Sequence, residues 1–291
     1  MQLKGTGVAL VTPFTTTKEI DYPSLGKVID YCIDGGVNYL VSLGTTGETV
    51  TLDDKEEQQI LDFTKKHVNG RVPLVAGFGG NNTALIAAKL QNFNVEGYSA
   101  ILSASPSYNK PTQEGLYQHF KALATVSPLP IILYNVPSRT GQNLSAQTTI
   151  RLANEFQNII GIKEASNDLL QCMEIIRATP NNFQLISGDD VHALPMFSIG
   201  SVGVISVVAQ GIPKQFTAMV NSALKGNFAQ ARETQFQFLD LVKLIFRENN
   251  PAGIKAVLSH LNLCSNELRL PLVPISSSLE NEIASFMHKA V

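Results

Sequence analysis

The sequence predicts an α/β fold, a (β/α)8 TIM barrel with a small C-terminal helical appendage. From residue 6 to about residue 225, short apolar segments of strand character alternate with amphipathic segments of helical period. The apolar segments show little alternation of polar and apolar residues, as expected of parallel strands that are buried on both faces. Eight such pairs favour a closed barrel over a doubly wound open sheet, which is the competing fold.

The predicted strands are short and apolar, and in chain order they cover residues 6–11, 38–43, 73–76, 99–103, 130–134, 159–163, 183–187 and 202–206. The segments between them carry one apolar stripe each, which in the first helix recurs at Leu25, Val28, Ile29 and Cys32. These patterns predict helices at residues 22–34, 53–67, 83–93, 113–126, 146–155, 167–178, 191–198 and 213–224.

After residue 226 the strand signal stops. Helices are predicted at residues 228–246 and 251–261, with a short helix near residues 278–288. The sequence therefore predicts a barrel at residues 1–225 and a C-terminal helical region at residues 226–291.

The composition limits the possible classes of protein. The chain has 291 residues and a net charge of −2, so no basic face for nucleic acid is expected. The N-terminus lacks a signal-peptide pattern, and no apolar run approaches the roughly 18–20 residues of a membrane span, which predicts a cytoplasmic location. The wide spacing of Cys32, Cys172 and Cys264 favours reduced thiols over disulfides or zinc.

Lys163 ends the apolar segment at residues 159–163. Burying an ammonium group there is costly, which favours the neutral amine. A neutral amine in a dry pocket is what a Schiff-base enzyme needs. The alternative is an ordinary strand-end lysine whose head group reaches water.

The active sites of such barrels lie at the C-terminal ends of the strands. Tyr134 would stand there beside Lys163, where a phenol can move protons, although a core aromatic is the alternative. Arg139 suits a bidentate contact with a carboxylate, unless it is a solvated loop residue. Counting strands places a further set at the same ends, namely Thr45, Thr46, Tyr108, Gly188, Ile205 and Ser206.

Two loops and two weaker motifs need separate interpretation. The Gly-Thr-Thr-Gly-Glu turn at residues 44–48 can present N–H groups to a carboxylate, or is an ordinary capped loop. Tyr108, in a stiff loop with two prolines, either reaches a neighbouring subunit or is a surface residue.

The segment at residues 77–82 fails as a dinucleotide turn because Asn82 replaces the third glycine. Asp189 and Asp190 near His192 indicate helix capping rather than a metal site.

The chain resembles the pyruvate-dependent class I aldolase and lyase superfamily, which includes the dihydrodipicolinate synthases and the N-acetylneuraminate lyases. The resemblance runs from Gly5 to about residue 290. It is carried by residues 7–14, the turn at residues 44–48, Tyr-Asn-Val-Pro at residues 134–137 and Ile-Lys-Glu-Ala at residues 162–165. The Thr45–Thr46 doublet and Ser-Arg-Thr-Gly at residues 138–141 make it more similar to the synthases than to the sialic-acid lyases.

The resemblance implies an enzyme of lysine biosynthesis that condenses pyruvate with L-aspartate 4-semialdehyde, without a cofactor or metal. It implies that Lys163 forms an imine with pyruvate and that Tyr134 donates and accepts protons. It further implies a proton relay of Thr45, Tyr134 and Tyr108, with Tyr108 supplied by the partner subunit of a homotetramer built as a dimer of dimers. The remaining implied substrate contacts are Thr46, Arg139, Ile205 and Gly188.

Two other functions stay open. A sister aldolase acting on a sugar acid would not need the carboxylate contact of Arg139. A non-enzymatic regulatory barrel would be expected to lose Lys163 or Tyr134, and this chain keeps both.

Lysine-inhibited relatives bind lysine in a polar pocket at a dimer interface. At the matching positions this chain has Asp54 and Glu57 for the family's histidines, Leu85 for its glutamate and Ser107 for its second tyrosine. An amino group would lose its carboxylate partner at Leu85, so the sequence predicts weak or absent feedback inhibition by lysine.

Overall fold

The computed structural model describes residues 3–290 of the chain, with the side chains of residues 3–288. Eight strands follow one another in chain order around a closed barrel, which confirms the predicted (β/α)8 fold. Numbered β1 to β8, the strands are Gly5–Ala9, Tyr39–Ser42, Leu74–Phe78, Ala100–Ala104, Ile131–Asn135, Ile159–Glu164, Gln184–Ser187 and Gly203–Ser206.

The helices alternate with the strands as far as residue 224 and then continue alone. Numbered α1 to α12, they are Tyr22–Asp34, Asp54–Val68, Thr83–Gln91, Gln113–Val126, Pro137–Thr140, Ala146–Glu155, Leu169–Ala178, Ala193–Ser198, Pro213–Leu224, Phe228–Phe246, Ala252–His260 and Ser277–Ala290. None of the helices within residues 3–290 has the length and apolar character needed to cross a membrane.

The predicted helix bounds agree best where an apolar stripe meets clear end signals. Thr112 begins α4 by accepting a hydrogen bond from the N–H of Gly115, and Ser145 begins α6 by accepting one from Thr148. Short elements were not predicted, because a helix of one turn is too short to show a period. The four-residue helix α5 and the 3-10 turn at Thr45–Gly47 are examples.

The contacts divide the chain into two compact units. The first unit is centred on Pro73–Ile205, and its strands β3 to β8 pair in sequence and in parallel. The second unit combines Gly5–Val72 with the chain from Ser206 onwards, and it contains the parallel pair β1 and β2 and the helices α9 to α12. The division into residues 1–225 and residues 226–291 stays a prediction.

Candidate active site

Lys163 and Tyr134 are register partners on neighbouring strands of the first unit. Tyr134 is the last residue but one of β5, and Lys163 is the last but one of β6. The Nζ of Lys163 lies 4.2 Å from the centre of the Tyr134 ring. Only 5% of Lys163 and 7% of Tyr134 is exposed, so the amine and the phenol share a site that is largely shielded from water.

Gly188 lies against the stem of Lys163. Its N–H donates to the carbonyl oxygen of Glu164 over 2.8 Å. A methyl group at position 188 would lie 3.1 Å from Cγ of Lys163 and 2.8 Å from Cβ of Ala165. The absence of a side chain at Gly188 therefore gives the lysine the space that it occupies.

Asn135 and Glu164 form the next register pair, one residue beyond Tyr134 and Lys163. Successive side chains of a strand point to opposite faces, so this pair lies behind the reactive pair. The Nδ2 of Asn135 lies 3.0 Å from both carboxylate oxygens of Glu164. Asn135 is fully buried and Glu164 is 1% exposed.

Three neutral groups surround the Glu164 carboxylate. Besides Asn135, the N–H of Ser166 donates to Oε1 over 2.7 Å, and Nε2 of Gln171 donates to Oε2 over 2.9 Å. Burial raises the pKa of Glu164, and the hydrogen bonds from Asn135, Ser166 and Gln171 oppose that shift. The network extends to Asn143, whose side-chain oxygen accepts from Asn135 over 2.7 Å.

Arg139 stands on the short helix α5, which follows β5 after Val136. Pro137 begins this helix, where a missing N–H costs nothing, and Gly141 ends it with a left-handed backbone at φ 79°. The side chain of Arg139 is exposed. Arg139 thus lies on the short helix that follows the C-terminal end of β5.

Tyr108 is exposed, in contrast to the buried pair of Lys163 and Tyr134. It has a left-handed backbone at φ 70°, which is uncommon for a bulky residue, and 91% of its surface is exposed. Its N–H donates to the carbonyl oxygen of Thr140, so the loop after β4 is tied to α5.

Ile205 lies within β8 and is 1% exposed. Asp189 precedes α8 and accepts hydrogen bonds from the N–H groups of Val191 and His192. The predicted helix capping by the Asp pair is wrong, because α8 begins at Ala193 with His192 at its N-cap and without a side-chain cap; Asp189 instead closes the turn before the helix. No group of three or more His, Cys, Asp or Glu in the described part of the chain has the arrangement of a metal site.

The turn with Thr45 and Thr46 belongs to the second unit. The N–H of Gly47 donates to Gly44 and the N–H of Glu48 donates to Thr45, which closes the turn. Thr45 is exposed, whereas Thr46 is 3% exposed and accepts a hydrogen bond on Oγ1 from Nδ2 of Asn250 over 3.0 Å.

Glu48 anchors this turn through a buried ion pair. Its Oε1 lies 2.5 Å from Nζ of Lys255 on α11, and its Oε2 accepts from the N–H of Arg269 over 3.2 Å. The Nζ of Lys255 also donates to the carbonyl oxygen of Glu267 over 2.8 Å. Burial lowers the pKa of Lys255, while the charge of Glu48 acts in the opposite direction.

The structure therefore brings Lys163, Tyr134 and Gly188 into one cluster. Arg139 lies at the same strand ends, and the side chain of Tyr108 projects into solvent. Analysis of the sequence did not assign a role to the residues that hold these groups in place. Their residue types gave no signal, because a residue type does not show which partners the folded chain brings beside it. These residues are Asn135, Asn143, Glu164, Gln171, Asn250 and Lys255.

Comparison with known proteins gives one consistent result. The dihydrodipicolinate synthetase family matches residues 2–290. A protein of Parabacteroides distasonis named 4-hydroxy-tetrahydrodipicolinate synthase is 49% identical over 94% of this chain and 92% of its own length. A protein of Flavobacterium psychrophilum with the same name is 46% identical over 97% of this chain and 96% of its own.

Comparison with solved structures leads to the same family. Dihydrodipicolinate synthase from Thermotoga maritima superposes with a TM-score of 0.96 at 36% identity, covering 99% of this chain and 98% of that chain. The enzyme from Aquifex aeolicus gives a TM-score of 0.95 at 38% identity, covering 98% and 97%.

Proposed function

We propose a reaction for this chain from one premise: the chain belongs to the dihydrodipicolinate synthetase family. It is an enzyme of the lyase class that condenses pyruvate with L-aspartate 4-semialdehyde to 4-hydroxy-tetrahydrodipicolinate, in lysine and diaminopimelate biosynthesis. The names of relatives at 44–49% identity support this assignment. The observation that carries the chemistry is the buried pair of Lys163 and Tyr134, with an amine 4.2 Å from the centre of a phenol ring.

The proposed reaction begins when the neutral amine of Lys163 attacks the keto carbon of pyruvate. Loss of water gives an imine, which acidifies the pyruvate methyl group. Loss of a proton then gives an enamine, and its carbon attacks the aldehyde carbon of the second substrate. The amino group of that substrate finally attacks the imine carbon, which closes the ring and releases Lys163. The imine is the electron sink, so this scheme uses no cofactor and no metal.

The phenol of Tyr134 suits the proton transfers of this scheme. Imine formation needs a proton for the departing water, and enamine formation needs a base for the methyl proton. The resemblance adds Thr45 and Tyr108 to this relay, with Tyr108 coming from a partner subunit. The exposure of Tyr108 supports that role, because 91% of its surface is open to contact by another subunit.

The two carboxylates of the substrates need separate partners. For pyruvate we infer the turn at Thr46, together with the main chain at Ile205 and the space at Gly188. For the semialdehyde we infer Arg139, whose planar guanidinium can bind a carboxylate through two hydrogen bonds. A homotetramer built as a dimer of dimers follows from the resemblance as a further proposal.

Pyruvate consumption with three aldehydes tests the function. L-aspartate 4-semialdehyde should support rapid turnover, whereas N-acetylmannosamine and a small sugar-acid aldehyde should not. Arg139→Lys is the matched variant, because it keeps the charge and loses the bidentate geometry. It should raise the KM for the semialdehyde and leave the KM for pyruvate nearly unchanged.

Turnover with a sugar aldehyde alone would move the chain to the sister aldolases and remove the proposed role of Arg139. Turnover with none of the aldehydes, in a protein that also forms no adduct with pyruvate, would refute the Schiff-base chemistry itself.

A further inference from the structure

We propose that Asn135 and Glu164 form a positioning clasp for the condensation, which fixes Tyr134 against Lys163 and closes the base of the Arg139 loop. The inference rests on the function proposed above. Neither residue of the clasp is assigned to contact the substrate. They would influence the reaction by positioning Tyr134 and Lys163, the residues that precede them in the chain.

The register of β5 with β6 places the clasp next to the reactive pair. Tyr134 pairs with Lys163, and the next pair along the same strands is Asn135 with Glu164. The pairing of β5 with β6 shifts register between Ile131 and Ile132, and from there it runs unbroken to the pair of Asn135 with Glu164. The clasp supplies side-chain hydrogen bonds between the two strands one residue beyond the reactive pair. A shift of Tyr134 along the strand direction relative to Lys163 would require those side-chain hydrogen bonds to break.

Asn135 also ties together the two ends of the loop that carries Arg139. Asn135 begins the excursion that carries α5 and Arg139, and Leu144 ends it. The Oδ1 of Asn135 accepts a hydrogen bond from the N–H of Leu144 over 2.9 Å, so one side chain ties the two ends together. Asn143 adds a second connection, because its Nδ2 donates to Oε1 of Gln171 over 2.7 Å.

The hydrogen-bond donors around Glu164 explain why position 164 carries a carboxylate. Three donors converge on it, from Asn135, Ser166 and Gln171, and a carboxylate offers two accepting oxygens to receive them. A glutamine at position 164 would offer one oxygen and turn an NH2 group towards a donor. Glutamine would keep the shape of the side chain, but one of the three donors would then face an NH2 group and lose its hydrogen bond.

Glu164→Gln therefore tests the clasp without removing volume. The measurement is the trapping of the pyruvate imine by borohydride, which reduces the imine of Lys163 to a stable amine, followed at increasing pyruvate concentrations. The maximal trapping rate should fall by about 10- to 100-fold, because misplacement of a reacting group costs factors of this size. The pyruvate concentration at half-maximal rate should change by less than about threefold, since pyruvate binding itself is not altered.

A reciprocal variant provides the rescue. In Asn135→Asp/Glu164→Gln the acceptor and the donor exchange sides, and the flanking amides of Asn143 and Gln171 can turn to match. The trapping rate should recover to within about threefold of the wild-type rate, whereas Asn135→Asp alone should lower it because two carboxylates then face each other. Failure of the double variant to recover would overturn the clasp.

Two more variants separate positioning from stability. Gln184→Ala removes a buried acceptor of the Leu3 N–H at the opposite end of β7, so it should lower the melting temperature and leave the trapping rate unchanged. Gln171→Met removes one donor to Glu164 and is the milder test, with an expected threefold to tenfold fall. A wild-type trapping rate in folded Glu164→Gln and Gln171→Met would refute the inference, whereas a wild-type protein that traps no pyruvate would refute the proposed function and the inference with it.

Discussion

The Nζ of Lys255 lies 2.5 Å from Oε1 of Glu48, and both side chains are completely buried. A buried charge that loses its partner is strongly destabilising, since the remaining ion is desolvated without compensation. We expect Lys255→Met to lower the free energy of unfolding in urea by about 3–5 kcal/mol.

The double variant Lys255→Met/Glu48→Gln is the control for this prediction. It removes both charges and should recover most of the loss, because a neutral amide is far cheaper to bury than a carboxylate. An equal loss in the single and double variants would show that the packing of the lysine stem, rather than its charge, is what matters.

Lys163→Ala should abolish the borohydride-trapped adduct with pyruvate, because the variant lacks the amine that forms the imine. Mass spectrometry of the intact protein and of its peptides measures the adduct and its position. Lys110→Ala is a suitable control, since this lysine lies in the exposed loop next to Tyr108. A surviving adduct at another lysine would refute the assignment of Lys163.

Tyr134→Phe should slow turnover by roughly 10²–10⁴-fold, because it removes the hydroxyl and keeps the ring that packs beside Lys163. The steady-state rate of pyruvate consumption measures this effect. Tyr98→Phe is the matched control, a buried tyrosine that lies just before β4, at the other end of the strand. A rate near that of the wild type would exclude Tyr134 as the acid and base.

Mixing two inactive variants tests the partner role of Tyr108. Tyr108→Phe subunits keep Lys163, and Lys163→Ala subunits keep Tyr108, so a mixed dimer regains one complete site if Tyr108 acts across the interface. After unfolding and joint refolding, roughly a quarter of the sites should be active for a two-fold symmetric dimer. Activity no higher than the sum of the separate variants would place Tyr108 outside the site.

Lysine should inhibit the enzyme weakly, with a half-inhibitory concentration above about 1 mM. Leu85 is 56% exposed and cannot pair with an amino group. The resemblance to lysine-inhibited relatives further implies that Asp54 and Glu57 replace two histidines. Leu85→Glu should restore a carboxylate and increase inhibition. Inhibition of the unaltered protein at sub-millimolar lysine would contradict the prediction.

The barrel could be predicted because buried parallel strands have a recognisable sequence pattern, a short run of apolar residues. The segment at residues 159–162 is apolar without alternation, and the apolar stripe of Tyr22–Asp34 has the helical period. The positions of Tyr134 and Lys163 could be predicted for a related reason, since each lies near the C-terminal end of a strand that was recognised. Helix α5 was missed because one turn shows no period.

The supporting residues could not be predicted, because their role depends on contacts that residue type does not encode. Glu164 follows Lys163 directly, yet its partner Gln171 lies on the next helix and its partner Asn135 on the preceding strand. Lys255 is 207 positions away from Glu48 and lies in a segment that has an ordinary helical pattern. Only the folded chain shows which of two similar lysines, Lys163 or Lys255, has a carboxylate partner.

The Glu48–Lys255 pair also restricts how this sequence can be recombined. A chimera that joins the first 225 residues of this chain to the last helices of a relative would keep the carboxylate, and it would need a cation of the same length at the matching position. We therefore expect exchange between relatives to be best tolerated at crossover points that keep Glu48 and Lys255 from the same parent. A library of such chimeras, sorted for folded protein, should be depleted in members that mismatch these two positions.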